Sequence, residues 1–230
     1  MCLQAEGREV CPQEPCAPRR KGKPLLKRYL YKALGMPFVY RTFARLMAGD
    51  AARIIFAEEH IRARDNERLL DIGCGPADIF PHLPRVDYTG FDANPDYIAT
   101  ATRNYGCDRA RFYCQRVNDE VPATGTRREF DIVLASAILH HLDDAEAEHL
   151  FRVAHAALKP EGRLVTLDCV YAPGQSPIAR YLISRDRGQH VRDERGYLDI
   201  ASRVFSRVVP IVRHDLMRIP YTHLILDCTK

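Results

Sequence analysis

The segment Leu69-Leu70-Asp71-Ile72-Gly73-Cys74-Gly75-Pro76-Ala77-Asp78 sets two glycines directly after a short apolar run and between acidic residues. Glycines at such a strand end let a ligand lie against the backbone with no side chain in the way. Twenty-one residues after Asp71, Asp92 closes a second run, Thr89-Gly90-Phe91-Asp92-Ala93-Asn94, where a carboxylate can accept both hydroxyls of a ribose. This pairing predicts a nucleoside-containing cofactor. A dinucleotide wants a third glycine and bare helix N–H groups for its pyrophosphate, whereas here the third position is Asp78 and Pro76 has no N–H to give. An acidic side chain repels phosphate and suits a cofactor with positive charge.

The elements that must hold these residues alternate. Leu69–Ile72, Tyr88–Phe91, Arg111–Cys114, Phe130–Ala135 and Arg163–Asp168 read as strands. Between them lie helices, of which Pro95–Tyr105 is the clearest, with Asn94 as N-cap, proline at its first position and Gly106 past its end. A second spans about Ala145 to Leu158, stopped by Lys159, Pro160 and Gly162. Such alternation marks an α/β fold with a doubly wound, mostly parallel sheet. The last third predicts a helix at about Tyr197–Val208 and strands near Ile211–Met217 and Thr222–Cys228, with Pro220 and Tyr221 leaving room only for a hairpin, so that the seventh strand is antiparallel. Upstream, Phe43, Leu46, Met47, Ala51, Ile54, Ile55 and Ile61 keep mostly to one face if Asp50 caps a new helix after Gly49.

Taken together, these segments resemble the class I S-adenosylmethionine-dependent methyltransferases. Asp71-Ile72-Gly73-Cys74-Gly75 is similar to their first motif and Asp92 to their ribose-binding acid. Phe130-Asp131-Ile132-Val133-Leu134-Ala135 with Leu139-His140-His141-Leu142 is similar to the fourth, and Leu158-Lys159-Pro160-Glu161-Gly162 to the fifth. The resemblance spans roughly Arg68 to Cys228 and implies a seven-stranded Rossmann-like sheet of order 3-2-1-4-5-7-6 with a C-terminal antiparallel hairpin. It implies methyl transfer with S-adenosyl-L-methionine as cofactor, held by Asp71, Gly73, Gly75, Asp92, Ala93, Asn118 and Ala135. One departure stands out: counting back from Val121-Pro122, the family's adenine-binding acid is replaced by Val117, so Asn118 and Asp119 are the candidates to stand in.

Methyl transfer is an in-line displacement that needs alignment, exclusion of water and, for a hydroxyl or protonated amine acceptor, a base. His140, His141 and His190 are the histidines placed for it. The expectation for His140 is structural, one ring of the pair packing on the sheet edge while the other meets Asp143 or Asp144; His141 and His190 are the catalytic candidates. Arg185, Arg187 and Arg192 could clamp an anionic acceptor, or pair instead with Asp186, Asp193 and Glu194. Asp168 and Cys169, at the end of the fifth strand, point to the substrate side, although Cys169 also reads as a small apolar filler. The insert Ala179–Arg195 and N-terminal helices bearing Tyr29, Tyr31 and Tyr40 are the material for a lid, with Tyr40 a candidate acceptor contact.

Composition bounds the rest. With 230 residues, 46% hydrophobic, the chain can bury a substantial core. Its net charge of +4 sits at the start, where residues 1–32 hold eight Lys/Arg against three Glu and leave the remainder at −1. A basic tail on a neutral body argues against a nucleic-acid coat, and Ala135-Ser136-Ala137-Ile138 stands where a base-flipping enzyme has Asn-Pro-Pro-Tyr. Longest apolar runs such as Ile132–Leu139 fall short of a membrane span. Eight cysteines without a CxxC pair or a signal peptide predict reduced thiols in the cytoplasm, and Cys2, Cys11 and Cys16 lack zinc-site spacing, so no metal is expected. The domain reading is a flexible basic tail (1–24), a helical cap (25–64) and a methyltransferase-like domain (65–230) with a substrate loop at 172–196. The partner expected is a small-molecule methyl acceptor offering oxygen, nitrogen or sulfur, with carbon not excluded. Two alternatives remain open: a catalytically silent fold serving as a binding module or partner subunit, and an NAD-dependent oxidoreductase.

Overall fold

The computed structural model describes residues 49–116, 130–186 and 188–230. Tyr40, Val117, Asn118, Asp119 and Arg187, together with the tail and most of the expected cap, lie outside the described residues. Helix α1 (Gly49–Ile55) runs into a wider π-type turn, Phe56–Ile61, that ends at Arg62 in a left-handed conformation, φ 47°. Asp50 falls within the first turn of α1 and pairs with Arg53 at 3.4 Å, so it is not the cap expected of it.

The sheet follows. Strands β1 (Arg68–Ile72), β2 (Asp87–Asp92), β3 (Ala110–Cys114), β4 (Phe130–Ser136) and β5 (Leu158–Cys169) are parallel; β6 (Arg207–Arg213) and β7 (His223–Thr229) complete the order 3-2-1-4-5-7-6. β7 runs antiparallel to both β5 and β6, as the hairpin expectation required. Helix α2 (Pro95–Tyr105) has Asn94 as its N-cap, and α3 (Asp144–Ala157) starts at a capping box in which Asp143 and Glu146 satisfy each other's backbone N–H. After β5 come α4 (Pro177–Ser184) and α5 (Glu194–Ala201).

Alternation along β1 shows why both faces are covered. Leu69 joins one apolar cluster with Tyr88, Ile132, Leu134 and Phe56, while Leu70 and Ile72 face the other with Val133, Leu150, Phe151 and Tyr197. The strands are therefore largely apolar on both sides, with Thr89 and Thr166 among the polar residues buried within them. Asp71 is a buried carboxylate one residue before the end of β1, 2% exposed.

The C-terminal elements sit differently from their expected bounds. The helix expected at Tyr197–Val208 is Glu194–Ala201, because Asp193 caps it and the β-branched run Val208-Val209-Pro210-Ile211-Val212 enters the edge strand. Pro210 is tolerated there because an edge strand can lose one N–H. The strand expected at Ile211–Met217 ends at Arg213, and the hairpin connection is the longer stretch 214–222, anchored by buried Leu216 and Thr222.

Candidate functional site

The loop after β1 is a turn in which Gly73 and Gly75 adopt positive φ, 77° and 53°. A side chain at Gly73 would meet the Ile138 Cδ1 at 2.8 Å, whereas the space beside Gly75 is open to 4 Å. The backbone is thus bare where a ligand would approach. The Gly73 and Cys74 N–H groups both donate to the Phe91 carbonyl at 2.8 Å, tying the loop to the end of β2.

Asp92 stands at that end, half-buried. Its Oδ2 accepts from the Gly75 N–H at 2.9 Å and its Oδ1 from the Asn94 N–H at 2.8 Å. Burial raises its pKa from 3.8, with those two backbone donors pulling it back. Each oxygen keeps a second lone pair, so the carboxylate is fixed in place yet able to accept two hydroxyls. Ala93, beside it, is exposed.

Asp71 serves the opposite side of the loop. Its Oδ2 accepts from the Tyr88 hydroxyl at 2.5 Å, and its Oδ1 is buried with no hydrogen-bond partner. Burial pushes its pKa up to about 7; the Tyr88 hydrogen bond opposes that and the Asp92 charge adds to it. A buried carboxylate oxygen without a donor is costly. It calls for a cation or N–H from the cleft that Asp71 lines. That cleft, about 220 Å³, is bounded by Asp71, Gly73–Gly75, Phe56, Ser136, Ala137 and His223. Ala135 is fully buried in the core beneath it.

At the carboxyl edge of β4 and β5 a second polar group forms. His140, 5% exposed, contacts Asp168 Oδ1 through Nδ1 at 2.7 Å and Asp186 Oδ1 through Nε2 at 3.3 Å. Burial alone would lower its pKa, but hydrogen bonds and charge from Asp168 and Asp186 raise it to about 9. Asp186 in turn is held well below the usual carboxylate range: the cost of burying its charge is outweighed by His140, the Gly188 N–H and the Tyr221 hydroxyl, which donates to Oδ2 at 3.0 Å. The imidazolium so paired is the physical basis of the structural reading for His140. Of the two acids expected to meet the other ring of the pair, Asp143 caps α3 and Asp144 binds Arg192.

The remaining candidates separate. His141 is exposed and its ring lies 4.1 Å from that of His140. His190 is also exposed, and its backbone N–H donates to the His140 carbonyl at 3.0 Å. Arg192 is turned inward, bonded to Asp144 and to the carbonyls of Leu139, Leu142 and His190, which corrects the expected pairing with Asp193 or Glu194. Arg185 is exposed, 5.3 Å over the Tyr181 ring. Sequence reading missed Tyr88, Tyr221 and His223. His223 opens β7 opposite Cys169, and burial and then the His140 charge lower its pKa to about 4.

Residues 69–162 match the methyltransferase domain family. An uncharacterized methyltransferase of Synechocystis sp. is 26% identical over 138 residues, 57% of this chain and 63% of that protein. The ubiquinone biosynthesis O-methyltransferase of Rhodopseudomonas palustris is 31% identical over 98 residues, 43% of this chain. The chain thus spans only 63% and 38% of the lengths of these curated relatives. Among solved structures, a Haemonchus contortus phosphoethanolamine N-methyltransferase in complex with phosphomonomethylethanolamine and S-adenosylhomocysteine superposes with a TM-score of 0.67 at 14% identity, covering 88% of this chain and 59% of that one. Residues 69–162 are thus similar to the methyltransferase domain family, on a seven-stranded sheet of order 3-2-1-4-5-7-6, the order expected of the class I S-adenosylmethionine-dependent methyltransferases.

Proposed function

We propose that the protein transfers a methyl group from S-adenosylmethionine to a small-molecule acceptor. The observation that carries this reading is the pair of carboxylates flanking the glycine loop: Asp92, fixed by two backbone N–H groups, and Asp71, with a buried oxygen that lacks a donor. The cofactor fits this pair, because its ribose offers two hydroxyls to Asp92 and its methionine end offers cationic groups to Asp71. When bound, it supplies an electrophilic methyl group on a sulfonium. NAD, the dinucleotide alternative, fits less well, since Asp71 lines the cleft where pyrophosphate would need positive surroundings, and Arg53, which also lines it, is paired with Asp78 at 3.6 Å.

The chain's own groups would then orient and desolvate. Gly73 and Gly75 let the cofactor approach the backbone, and Phe56 and Leu167 wall the cleft with apolar surface that keeps water from the transfer. An acceptor that gives up a proton meets His141 and His190 as the solvent-facing imidazoles of this edge, with Arg185 as the exposed cation for an anionic acceptor. Arg192 is already committed to internal partners, so we assign it to holding the loop rather than to the acceptor.

Incubation with S-adenosylmethionine and a panel of hydroxyl, amine and thiol acceptors, followed by mass spectrometry, tests the proposal. One acceptor should gain a methyl group with matching release of S-adenosylhomocysteine. Tight binding of S-adenosylmethionine with no methylated product from any acceptor class, including crude metabolite extracts, would favour the silent binding module instead.

A further inference from the structure

Cys169 is a buried thiol that the methyl-transfer reading leaves unused. Its thiol stands with His140 and Asp186, so that one donor atom from each lies within 4.8 Å of the others. These residues come from the loop after β4, the end of β5 and the segment after α4, which the fold brings to one sheet edge. The His140 Nε2 and Asp186 Oδ1 are 3.3 Å apart. Two ligands each about 2.05 Å from a tetrahedral ion would themselves be roughly 3.3 Å apart.

The outer shell is also in place. Asp168 holds the His140 Nδ1 at 2.7 Å and the His140 backbone N–H at 3.1 Å, which aims Nε2 at Asp186. A carboxylate behind a histidine in this way is the usual second partner of a metal-binding imidazole. Asp168 is 2% exposed and its Oδ2 has no partner, so the cluster carries more buried negative charge than His140 alone offsets. Gly188 supports the arrangement, because a Cβ there would come within 2.2 Å of the His140 Cδ2. An ion pair between a histidine and two acids has no need of sulfur; a nitrogen, a thiol and a carboxylate oxygen together form a mixed set suited to a borderline-soft divalent ion.

We infer that His140, Cys169 and Asp186 form a site for a zinc-class divalent cation, with three protein ligands, Asp168 as the orienting carboxylate and a fourth position left for water or a substrate atom. Binding takes one proton from the imidazole and one from the thiol, and both go to solvent. Spacings from the sulfur that are at most 4.8 Å have to close to roughly 3.6 Å for tetrahedral coordination. No short spacing announces the site, since its ligands are 29 and 17 residues apart in the chain.

The test uses the full chain, stripped with a chelator and titrated with Co²⁺ while its absorption is followed. One equivalent should bind with tetrahedral d–d bands and a thiolate-to-cobalt charge-transfer band in the near ultraviolet, and Zn²⁺ should displace it. Cys169→Ser should lose the charge-transfer band, and Asp186→Asn should bind at least tenfold more weakly, both with unchanged circular dichroism. A variant with Cys2, Cys11 and Cys16 all replaced by serine should keep the band, which separates this site from the N-terminal thiols. No band in the wild type, or a band that survives Cys169→Ser, overturns the proposal. The Asp92→Ala variant keeps the band if the inference holds, whatever becomes of cofactor binding, so the two readings fail separately.

Discussion

Asp71 carries the sharpest pH dependence expected at the residue scale. Its carboxyl has a pKa of about 7 in the fold against an ordinary 3.8, with burial as the leading cause. A cationic ligand favours the ionised form, so affinity for S-adenosylmethionine should rise with pH through 7 and level off above it, falling by up to about tenfold per unit below. Titration calorimetry between pH 6 and 8 reads this, and Asp71→Asn should flatten it. Stability runs the other way: between 3.8 and 7 the native state keeps a proton that the unfolded chain has lost, so this residue's contribution falls as pH rises through that window. Tyr88→Phe leaves both Asp71 oxygens without a donor and should cost about 1–3 kcal/mol in chemical denaturation.

Among the elements, α2 shows what local chemistry can specify. Asn94 accepts the Asp96 N–H at 2.9 Å, and Pro95 and Gly106 bracket the helix, so its bounds were legible to the residue. Asn94→Ala should destabilise the protein by about 1 kcal/mol while leaving S-adenosylmethionine affinity within a few-fold, since the backbone N–H that holds Asp92 is retained. The β6–β7 region was less legible. Its edge strand begins before the apolar run centred on Ile211, and pairing with β7, rather than local pattern, sets the register Val209↔Asp227 and Ile211↔Ile225. The glycine loop and Asp92 could be read because their roles are backbone geometry and a strand-end carboxylate. Asp186, Tyr221 and His223 could not, because they meet His140 and Cys169 only through the tertiary fold.

For the whole molecule, β5 is the spine. It pairs with β4 on one side and β7 on the other, and its Arg163 donates to the carbonyls of His60 and Ile61 while facing Asp227 at 3.7 Å. This contact docks the Phe56–Ile61 turn, and hence a wall of the cleft, onto the sheet. Arg163→Met should leave those carbonyls without their side-chain donor, while Asp227 keeps Arg62, lower stability by about 1–3 kcal/mol and speed limited proteolysis of residues 56–67. No described helix is long and apolar enough to cross a membrane. The central claim is that the glycine loop and its two carboxylates hold S-adenosylmethionine, and calorimetric titration of this cofactor and S-adenosylhomocysteine into wild type and Asp92→Ala tests it directly. The account predicts that the wild type binds both and that Asp92→Ala binds about a hundredfold more weakly, as two charge-assisted hydrogen bonds are lost. Absence of binding by a folded wild type, or equal binding by the two proteins, would contradict it.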